Sequence, residues 1–217
     1  LTVTMTVTDA ANNSGTVTDT TVLDQTPPVV GLDDVLTNDA TPELNGTVDD
    51  KDATIVVTVD GVDYPATNNG DGTWTLADDS LPALNEGEHT ITVTATDPAG
   101  NTGTDTATVT VDSTAPNDTD NSISFDDALV SAAEAQAGVT LSGQVEADAT
   151  VTSIVITDSA SGSITVDAID ISVDASGAVT VVGQDLSSLA DGELTVTMTV
   201  TDAANNSGTV TDTTVLD

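Results

Sequence analysis

The sequence predicts an all-β protein built of tandem antiparallel β-sandwich domains, and three observations support this prediction. Leu1–Asp24 (LTVTMTVTDAANNSGTVTDTTVLD) returns letter for letter as Leu194–Asp217, which gives a period of 193 residues. Thr alternates with Val, Leu or Met along these segments, the period of two that marks half-buried strands. Turn signals recur at intervals of roughly 8–12 residues, as expected of short strands in a sandwich.

A weaker copy of the repeated segment lies at Thr90–Asp112 (TITVTATDPAGNTGTDTATVTVD). In each copy a strand ends in Asp, an Asn follows four residues later, and a second strand ends in Asp: the three sets are Asp9, Asn13, Asp24; Asp97, Asn101, Asp112; and Asp202, Asn206, Asp217. The period therefore predicts two related domains, 25–112 and 113–217. Residues 1–24 are then the C-terminal hairpin of a preceding repeat, expected to pack against a neighbouring chain or to stay partly exposed.

The charge of the chain is extreme: 37 acidic residues stand against one Lys and no Arg, and the formal net charge is −36. This composition argues against nucleic acids and anionic membranes as partners, because both bind through basic side chains. The carboxylates require either bound cations or screening by high salt. The chain has no cysteine, so we expect another means of stabilisation in place of the disulfides on which many small extracellular domains depend, and a divalent metal is the obvious candidate. No apolar run is long enough for direct membrane insertion.

The first domain follows the linker Gln25–Pro28 (QTPP), and its pattern is that of an immunoglobulin-like sandwich of about seven strands. Trp74, the only Trp, is expected in its core. The predicted strands are Val29–Leu36, Pro42–Val48, Thr54–Asp60, Val62–Thr67, Thr73–Leu76, His89–Asp97 and Thr104–Asp112.

The second domain repeats this plan after the linker Ser113–Pro116 (STAP) and the segment 117–121 (NDTDN). Short linkers that contain proline favour an extended rod over a flexible string. Ala132–Gly138 is predicted to form no more than one helical turn, because it is too short for an independent helix. The predicted strands are Ser122–Val130, Val139–Val145, Val151–Asp158, Ser163–Val173, Ala178–Leu186 and the closing pair within Leu194–Asp217.

Acidic residues concentrate in the linkers and in the loops that such a sandwich brings to the same end. Carboxylates from several loops, with Asn and backbone carbonyls, suit Ca²⁺, which takes about six to eight oxygen ligands. Without a cation they would repel one another. Zinc is disfavoured by the single His and the absence of Cys. The candidate calcium ligands are Asp24, Asp49, Asp50, Asp52, Asp71, Asp97 and Asn101 at the first junction; Asp112, Asp118, Asp120, Glu146, Asp148, Asp174, Asp202 and Asn206 at the second; Asp33, Asp34, Asn38 and Asp39 at the opposite end; and Asp9 in the first hairpin.

The segments ATDPAGNTGTDTATVTVDSTAP, TNDATPELNGTV and NGDGTWTL resemble the bacterial immunoglobulin-like repeats of giant RTX adhesins and biofilm-associated surface proteins. The resemblance covers the whole chain. It implies an extender region in which neighbouring identical repeats hold a distal ligand-binding module away from the cell. It also implies Ca²⁺ that rigidifies the interdomain junctions, and type I secretion to the extracellular cell surface for adhesion and biofilm formation. EADAT and NDTDN depart from the first domain's pattern, so the two junctions need not hold the same number of ions.

Other functions remain open on the sequence. A carbohydrate- or protein-binding adhesion module is disfavoured by the scarcity of aromatic residues, and a halophilic surface protein without specific calcium sites would explain the charge alone. Rows of Thr invite an ice-binding interpretation, but sandwich sheets twist. An enzyme is disfavoured because the only histidine, His89, lies in a predicted strand. Lys51 lies in an acidic loop, where it offsets local charge.

Overall fold

The computed structural model describes all 217 residues, which divide into two compact units. The first unit comprises Leu1–Val35, Thr41–Leu84 and Glu88–Val109, and the second comprises Leu36–Ala40, Asn85–Gly87 and Thr110–Asp217. Both are built almost entirely of β-strands, so the predicted all-β fold is confirmed. The helices are too short and too polar to cross a membrane.

The nineteen strands are short, and the longest contain ten residues. In chain order they are β1 Thr2–Thr8, β2 Ser14–Thr20, β3 Val30–Leu32, β4 Val35–Thr37, β5 Leu44–Val48, β6 Thr54–Val59, β7 Val62–Asn68, β8 Thr73–Leu76, β9 Gly87–Thr96, β10 Thr102–Val111, β11 Ser122–Phe125, β12 Leu129–Val130, β13 Val139–Gln144, β14 Thr150–Asp158, β15 Ser163–Thr165, β16 Ile171–Val173, β17 Ala178–Gln184, β18 Gly192–Thr201 and β19 Ser207–Leu216.

The N-terminal hairpin is a two-stranded sheet of its own, in which β1 pairs antiparallel with β2. Thr2 lies opposite Thr20, and Thr8 lies opposite Ser14. Alternation places the apolar residues of β1 on one face, but every residue of both strands is exposed. Isolated two-stranded hairpins are marginally stable in water, so this face lacks the cover that a sandwich normally supplies.

The first sandwich comprises β3 to β10, which form one continuous sheet in the order β3-β5-β8-β7-β6-β9-β10-β4. Thr67 and Asn68 of β7 pair with β8, and this pairing joins β3, β5 and β8 to the other five strands. The predicted core residue Trp74 is fully buried, and its indole N–H donates to the Gly31 carbonyl at 3.2 Å. Because a buried indole N–H needs an acceptor, this bond fixes the ring against the edge strand.

The second sandwich is formed by two sheets, one in the order β11-β13-β17-β16 and the other in the order β12-β19-β18-β14-β15. Their apolar faces enclose a single core in which Leu141, Ile154, Leu194 and Met198 are fully buried. The closing hairpin β18–β19 contributes much of this core, because its alternating residues point inward along ten paired positions.

Two predicted strands are wrong because the chain changes partners within them. Val29–Leu36 is broken at Asp33 and Asp34, so β3 pairs with β5 whereas β4 lies beside β10 at the other edge of the sheet. Ser122–Val130 is broken in the same way: β11 pairs antiparallel with β13, and β12 pairs parallel with β19. Adjacent carboxylates are poor strand residues, and at these positions the chain crosses from one edge of the sandwich to the other.

Two further predictions for the second domain need correction. Ser163–Val173 is interrupted by a 3₁₀ helix at Ala168–Asp170. Ala132–Ala137 forms a six-residue α-helix, α1, where no more than one helical turn was predicted. Ser131 and Glu134 form a reciprocal capping box at its start, and the Ala135 carbonyl accepts the Leu186 N–H at 2.9 Å. Capping and packing therefore stabilise a helix that is too short to persist alone.

Candidate metal centre

The predicted Asp–Asn spacing produces the same hydrogen-bonded turn in all three copies of the hairpin. The Asp97 carboxylate accepts the backbone N–H of Asn101 at 2.8 Å and its side-chain amide at 2.8 Å. The Asp202 carboxylate holds Asn206 in the same way, at 2.8 and 2.9 Å. In the first hairpin, Asp9 and Asn13 repeat the arrangement. We call this arrangement the Asp–Asn turn.

In both sandwiches the Asn of this turn also binds the linker. The Asn101 amide donates to the Asp24 carbonyl at 3.3 Å, and the Asn206 amide donates to the Asp112 carbonyl at 2.8 Å. Each linker Asp in turn accepts a backbone N–H two residues further on, from Thr26 or Thr114, at 3.0 Å. The linker backbone is therefore tied to the turn that follows the penultimate strand.

A glycine just after each Asp–Asn turn allows the linker to approach the sheet. A Cβ at Gly103 would clash with the carbonyl of Pro28, and a Cβ at Gly208 would clash with the carbonyl of Pro116. Only glycine leaves room for such a backbone approach. The two linkers therefore dock in the same way, although their sequences are QTPP and STAP.

The acidic residues of the first junction surround one open cleft of about 230 Å³. Asp24, Asp49, Asp50 and Asp97 line it together with the linker prolines. Asp52 lines the adjoining cleft with Asp24 and Asp50. The Asp49 carboxylate accepts the Val29 N–H at 2.7 Å, which ties the linker to this loop. The structure thus brings five of the predicted carboxylates to this junction.

The acidic residues of the second junction separate into two groups. Asp120, Glu146, Asp148 and Asp174 line a cleft of about 580 Å³. Asp112, Asp202 and Asn206 instead form the Asp–Asn turn and its linker contact. The Asp174 carboxylate already accepts bonds from Ser176 and Ala178. The second cleft therefore has a different set of candidate ligands from the first, in keeping with its different loop sequence.

The other candidate ligands lie outside these two clefts, and several form hydrogen bonds with neighbouring residues. Asp118 lines neither cleft. The Asp71 carboxylate accepts from Thr73 in its own turn. The Asp34 carboxylate accepts the Thr108 N–H at 2.8 Å, and the Asp39 N–H donates to the Thr37 hydroxyl at 3.0 Å. Asp9 lies in the exposed hairpin, where its carboxylate accepts the backbone N–H groups of Ala11 and Asn13 and the side-chain amide of Asn13.

Hydrogen bonds lower the pKa of a few of these carboxylates. The Asn101 side chain is the main cause that lowers the pKa of Asp97, and the Asn13 side chain does the same for the pKa of Asp9. No group of three or more acidic or His side chains is arranged so that it could hold a metal ion. The first cleft offers oxygen donors of the type that Ca²⁺ prefers, but they are not drawn together.

Two residues that the sequence analysis did not single out help to fix the second linker. The Glu86 carboxylate accepts from the backbone and hydroxyl of Ser113 and from the Thr114 hydroxyl, and the Ser113 bonds lower the pKa of Glu86. Asn121 is 2% exposed, bonds to the Asn117 carbonyl at 3.0 Å and accepts the Glu146 N–H at 3.1 Å. Neither contact has a local sequence signature.

Lys51 and His89, the only Lys and the only His of the chain, each contact a nearby carboxylate. The Lys51 ammonium lies 2.6 Å from the Asp52 carboxylate, an exposed ion pair that raises the pKa of Lys51. His89 lies in β9 with Nδ1 3.1 Å from the Asp60 carboxylate. Lys51 is exposed on the first sandwich, whereas His89 is 9% exposed, and both contacts suit structural roles.

Comparisons with known proteins support this architecture. A family model described as a bacterial Ig-like domain matches residues 30–113. A solved tetra-tandem repeat from the extending region of a large adhesion protein is 29% identical over 100% of this chain and 56% of its own, with a TM-score of 0.45. A 1.5-MDa bacterial ice-binding adhesin is 25% identical over 89% of this chain and 66% of its own, with a TM-score of 0.50.

A third solved structure, a Ca²⁺-stabilized adhesin of an Antarctic bacterium that binds ice, is 23% identical over 100% of this chain and 56% of its own, with a TM-score of 0.46. This chain thus spans 56% to 66% of the length of these three solved chains. No curated protein matches it in sequence. The predicted resemblance to the immunoglobulin-like tandem repeats of large bacterial adhesins is confirmed, with residues 30–113 matching the bacterial Ig-like domain family.

Proposed function

We propose that this chain forms structural extender repeats of a secreted bacterial cell-surface adhesin, with Ca²⁺ bound beside the linkers. The observation that carries the proposal is the repeated docking of the linker: Asn101 binds the carbonyl of Asp24, and Asn206 binds that of Asp112. A device that fixes the linker in each repeat serves to set the direction of the next domain. Binding of a separate ligand does not need such a device.

Calcium would act on the same linkers. Asp24, Asp49, Asp50 and Asp97 belong to the linker and to two loops of one sandwich, and they line one cleft. A cation held there would join linker to sandwich and remove the repulsion among the carboxylates. Each occupied site would stabilise its sandwich by about 2.7 kcal/mol at a hundred times the dissociation constant. The proposed repeats are residues 25–112 and 113–217.

The relatives of this chain and its charge support a location at the extracellular cell surface. The resemblance to adhesin repeats implies that a distal module is held out for adhesion or biofilm formation, and we propose that role for this chain, with type I secretion as its route. The proposed partners are neighbouring repeats of the same chain, and the proposed role is structural and not enzymatic. The net charge of −36 suits an extracellular setting in which calcium is abundant.

The test is a thermal melt combined with small-angle X-ray scattering, in EDTA and then in 5–10 mM CaCl₂ (roughly a hundredfold excess over a dissociation constant of about 0.1 mM) at constant ionic strength. We expect calcium to raise the melting temperature and to give a longer, stiffer particle. Asp50→Asn should weaken this response. The matched control is Glu43→Gln, at an exposed position directly before β5, and it should retain the response. Equal stabilisation by NaCl, or no response at all, would favour the halophilic surface protein instead.

A further inference from the structure

The first sandwich contains two Asn-Gly pairs, Asn45-Gly46 and Asn69-Gly70, in contrasting positions. In such a pair the Asn side chain is open to attack by the backbone nitrogen of the next residue, because glycine has no Cβ to obstruct the approach. The attack also needs a backbone that is free to change its dihedral angles. The surroundings of the two pairs therefore determine which of them can react.

The pair Asn45-Gly46 is fixed within the sheet. The Asn45 side chain is exposed, but the backbone belongs to β5, where Gly46 lies opposite Leu32 of β3 and Trp74 of β8. A Cβ at Gly46 would clash with the Gly31 carbonyl and with the Trp74 indole. Because β5 is paired on both sides and closely packed, a reaction at Asn45 requires that the strand first opens.

The pair Asn69-Gly70 lies in the exposed loop between β7 and β8. Gly70 has a φ of 77°, and a Cβ there would meet no atom within 4 Å. The Gly70 N–H donates to the Asn68 side-chain carbonyl at 3.0 Å. The Asn69 side-chain amide donates to the hydroxyls of Thr73 and Thr75 at 2.9 and 3.1 Å. These hydrogen bonds are exposed to solvent, so they contribute little to stability and open readily.

The next pair in the same loop, Asp71-Gly72, has the same spacing but a less reactive side chain. The Asp71 carboxylate accepts the hydroxyl of Thr73 at 2.6 Å and its backbone N–H at 3.1 Å. The bond from the hydroxyl is the main cause that lowers the pKa of Asp71. Since an ionised carboxylate resists attack by a nitrogen nucleophile, the reactive carbonyl carbon of this loop is Cγ of Asn69.

We propose that Asn69 is a site of self-modification, at which the folded chain converts this asparagine to aspartate and isoaspartate without an enzyme. The Gly70 nitrogen loses its proton to hydroxide and bonds to Cγ of Asn69. The bond between Cγ and Nδ2 breaks, and Nδ2 takes a proton from water and leaves as ammonia, which regenerates the hydroxide. Water then opens the resulting succinimide ring at either of its carbonyls, so that water is the only co-reactant.

The new carboxylate would fit its neighbours poorly. The Thr73 hydroxyl has a single proton, which it donates to Asp71, and it accepts the Asn69 amide. An oxygen in place of the amide nitrogen would face this hydroxyl with no hydrogen between them, close to the Asp71 charge. Isoaspartate also lengthens the backbone directly after Asn68, whose amide donates to the Asp50 carbonyl at 2.9 Å. Conversion should therefore loosen this hairpin and the acidic loop that it supports.

Peptide mapping of the full chain tests the proposal, after incubation in mildly alkaline buffer and with mass spectrometry that separates aspartate from isoaspartate. We expect Asn69 to convert at least about tenfold faster than Asn45, since each ~1.4 kcal/mol needed to open the strand slows the reaction tenfold. In concentrated urea, where the fold holds neither pair, the two rates should become similar. Equal rates in the folded chain, or the same ratio in urea, would overturn the proposal.

Variants at residue 69 separate this conversion from other ageing of the protein. Asn69→Gln keeps an amide but must close a larger ring, so its melting temperature should stay constant during the incubation. Asn69→Asp carries one product from the start, and it should melt below the original chain. The matched control Asn45→Gln should lose stability during the incubation as the original chain does. An equal loss in Asn69→Gln would assign the change to another site and contradict the proposal.

Discussion

Residues 1–24 and 194–217 are the same peptide in two environments. Both form hairpins in the same register, with Met5 opposite Val17 and Met198 opposite Val210. Both close with a left-handed Asn in the turn, Asn12 at φ 66° and Asn205 at φ 71°. Yet the first hairpin is exposed throughout, whereas the second supplies fully buried core residues. Alternation and turn chemistry thus determine the local structure, and burial depends on what lies against it.

The third copy, Thr90–Asp112, shows which features all three copies share and which residues vary around them. It keeps the Asp–Asn turn and the glycine that faces the linker, but its first strand carries Ile, Val and Ala where the closing hairpin has Val196, Met198 and Val200. The linker contact therefore depends on the turn and not on the identity of the core residues. The following predictions use the three copies as internal controls.

The largest difference should come from the core methionine. Met198→Ala removes a fully buried side chain and should cost about 2–5 kcal/mol in the free energy of unfolding. Met5→Ala should change it by less than about 0.5 kcal/mol, because Met5 faces solvent. Hydrogen exchange of the Val139–Gln144 amides reports on the second sandwich alone. Equal losses from the two substitutions would show that the first hairpin is covered in solution.

The glycines should show the next largest difference. A methyl group on Gly208 would clash with the Pro116 carbonyl, whereas one on Gly15 would meet open space. Gly208→Ala should therefore destabilise the second sandwich by about 1–3 kcal/mol, and Gly15→Ala should be nearly neutral. Thermal melts of the two variants check this. A neutral Gly208→Ala would mean that the linker lies further from the sheet.

The asparagines should show a smaller difference. Asn206→Ala leaves the Asp112 carbonyl without its donor and should cost about 1 kcal/mol. Asn13→Ala loses only contacts within an exposed turn, so it should change the free energy of unfolding by no more than a few tenths of about 1 kcal/mol. Urea unfolding at matched protein concentrations measures both. A larger cost for Asn13→Ala would place the first hairpin in an unrecognised contact.

The pKa values of Asp97 and Asp9 should show the smallest difference, because each is set by contacts within its own Asp–Asn turn. Hydrogen bonds from the paired Asn lower the pKa of both Asp97 and Asp9 from the ordinary value of 3.8. For Asp97, the unfolded chain takes up its proton first as the pH falls. The contribution to stability is therefore complete above pH of about 4 and is lost as the pH falls through the folded pKa.

Carbon-13 NMR of the carboxyl groups measures the two titrations directly. Asn101→Ala and Asn13→Ala should each raise the pKa of the paired Asp toward 3.8. Only Asn101→Ala should also reduce the stability of the first sandwich near neutral pH, because Asp97 is 7% exposed and its turn holds the linker. An unchanged pKa of Asp97 in Asn101→Ala would mean that hydrogen bonds from backbone N–H groups alone lower this pKa.

Much of the fold could be predicted from alternation, but partner changes could not. The run VVGLDDVL reads as one strand because its apolar residues continue across Asp33 and Asp34, and only the sheet order separates β3 from β4. The helix α1 had a local signal, the capping box of Ser131 and Glu134, which outweighs its short length. Capping pairs could therefore have identified it.

The candidate site was predictable where its residues lie close in sequence. The spacing of Asp97 and Asn101 indicated their turn, but the same reasoning could not reveal that Asn101 binds the Asp24 carbonyl. The bonds of Glu86 to Ser113 join residues 27 positions apart and follow no pattern in the sequence. The second cleft departs from expectation because Asp112 and Asp202 do not line it, although their counterparts Asp24 and Asp97 line the first cleft.

The parallel pairing of β12 with β19 has a mechanical consequence. Leu129 and Val130 lie beside Val215 and Leu216 in the same direction, and the backbone bonds of Asp217 with Val130 and Ala132 extend this contact. Tension applied at the two ends of the sandwich would pull these strands in opposite directions along their length. The backbone hydrogen bonds between the two strands would then be loaded together in shear. Breaking them together requires far more force than opening them one at a time. In the proposed extender, this short strand pair would set the tension at which the domain unfolds.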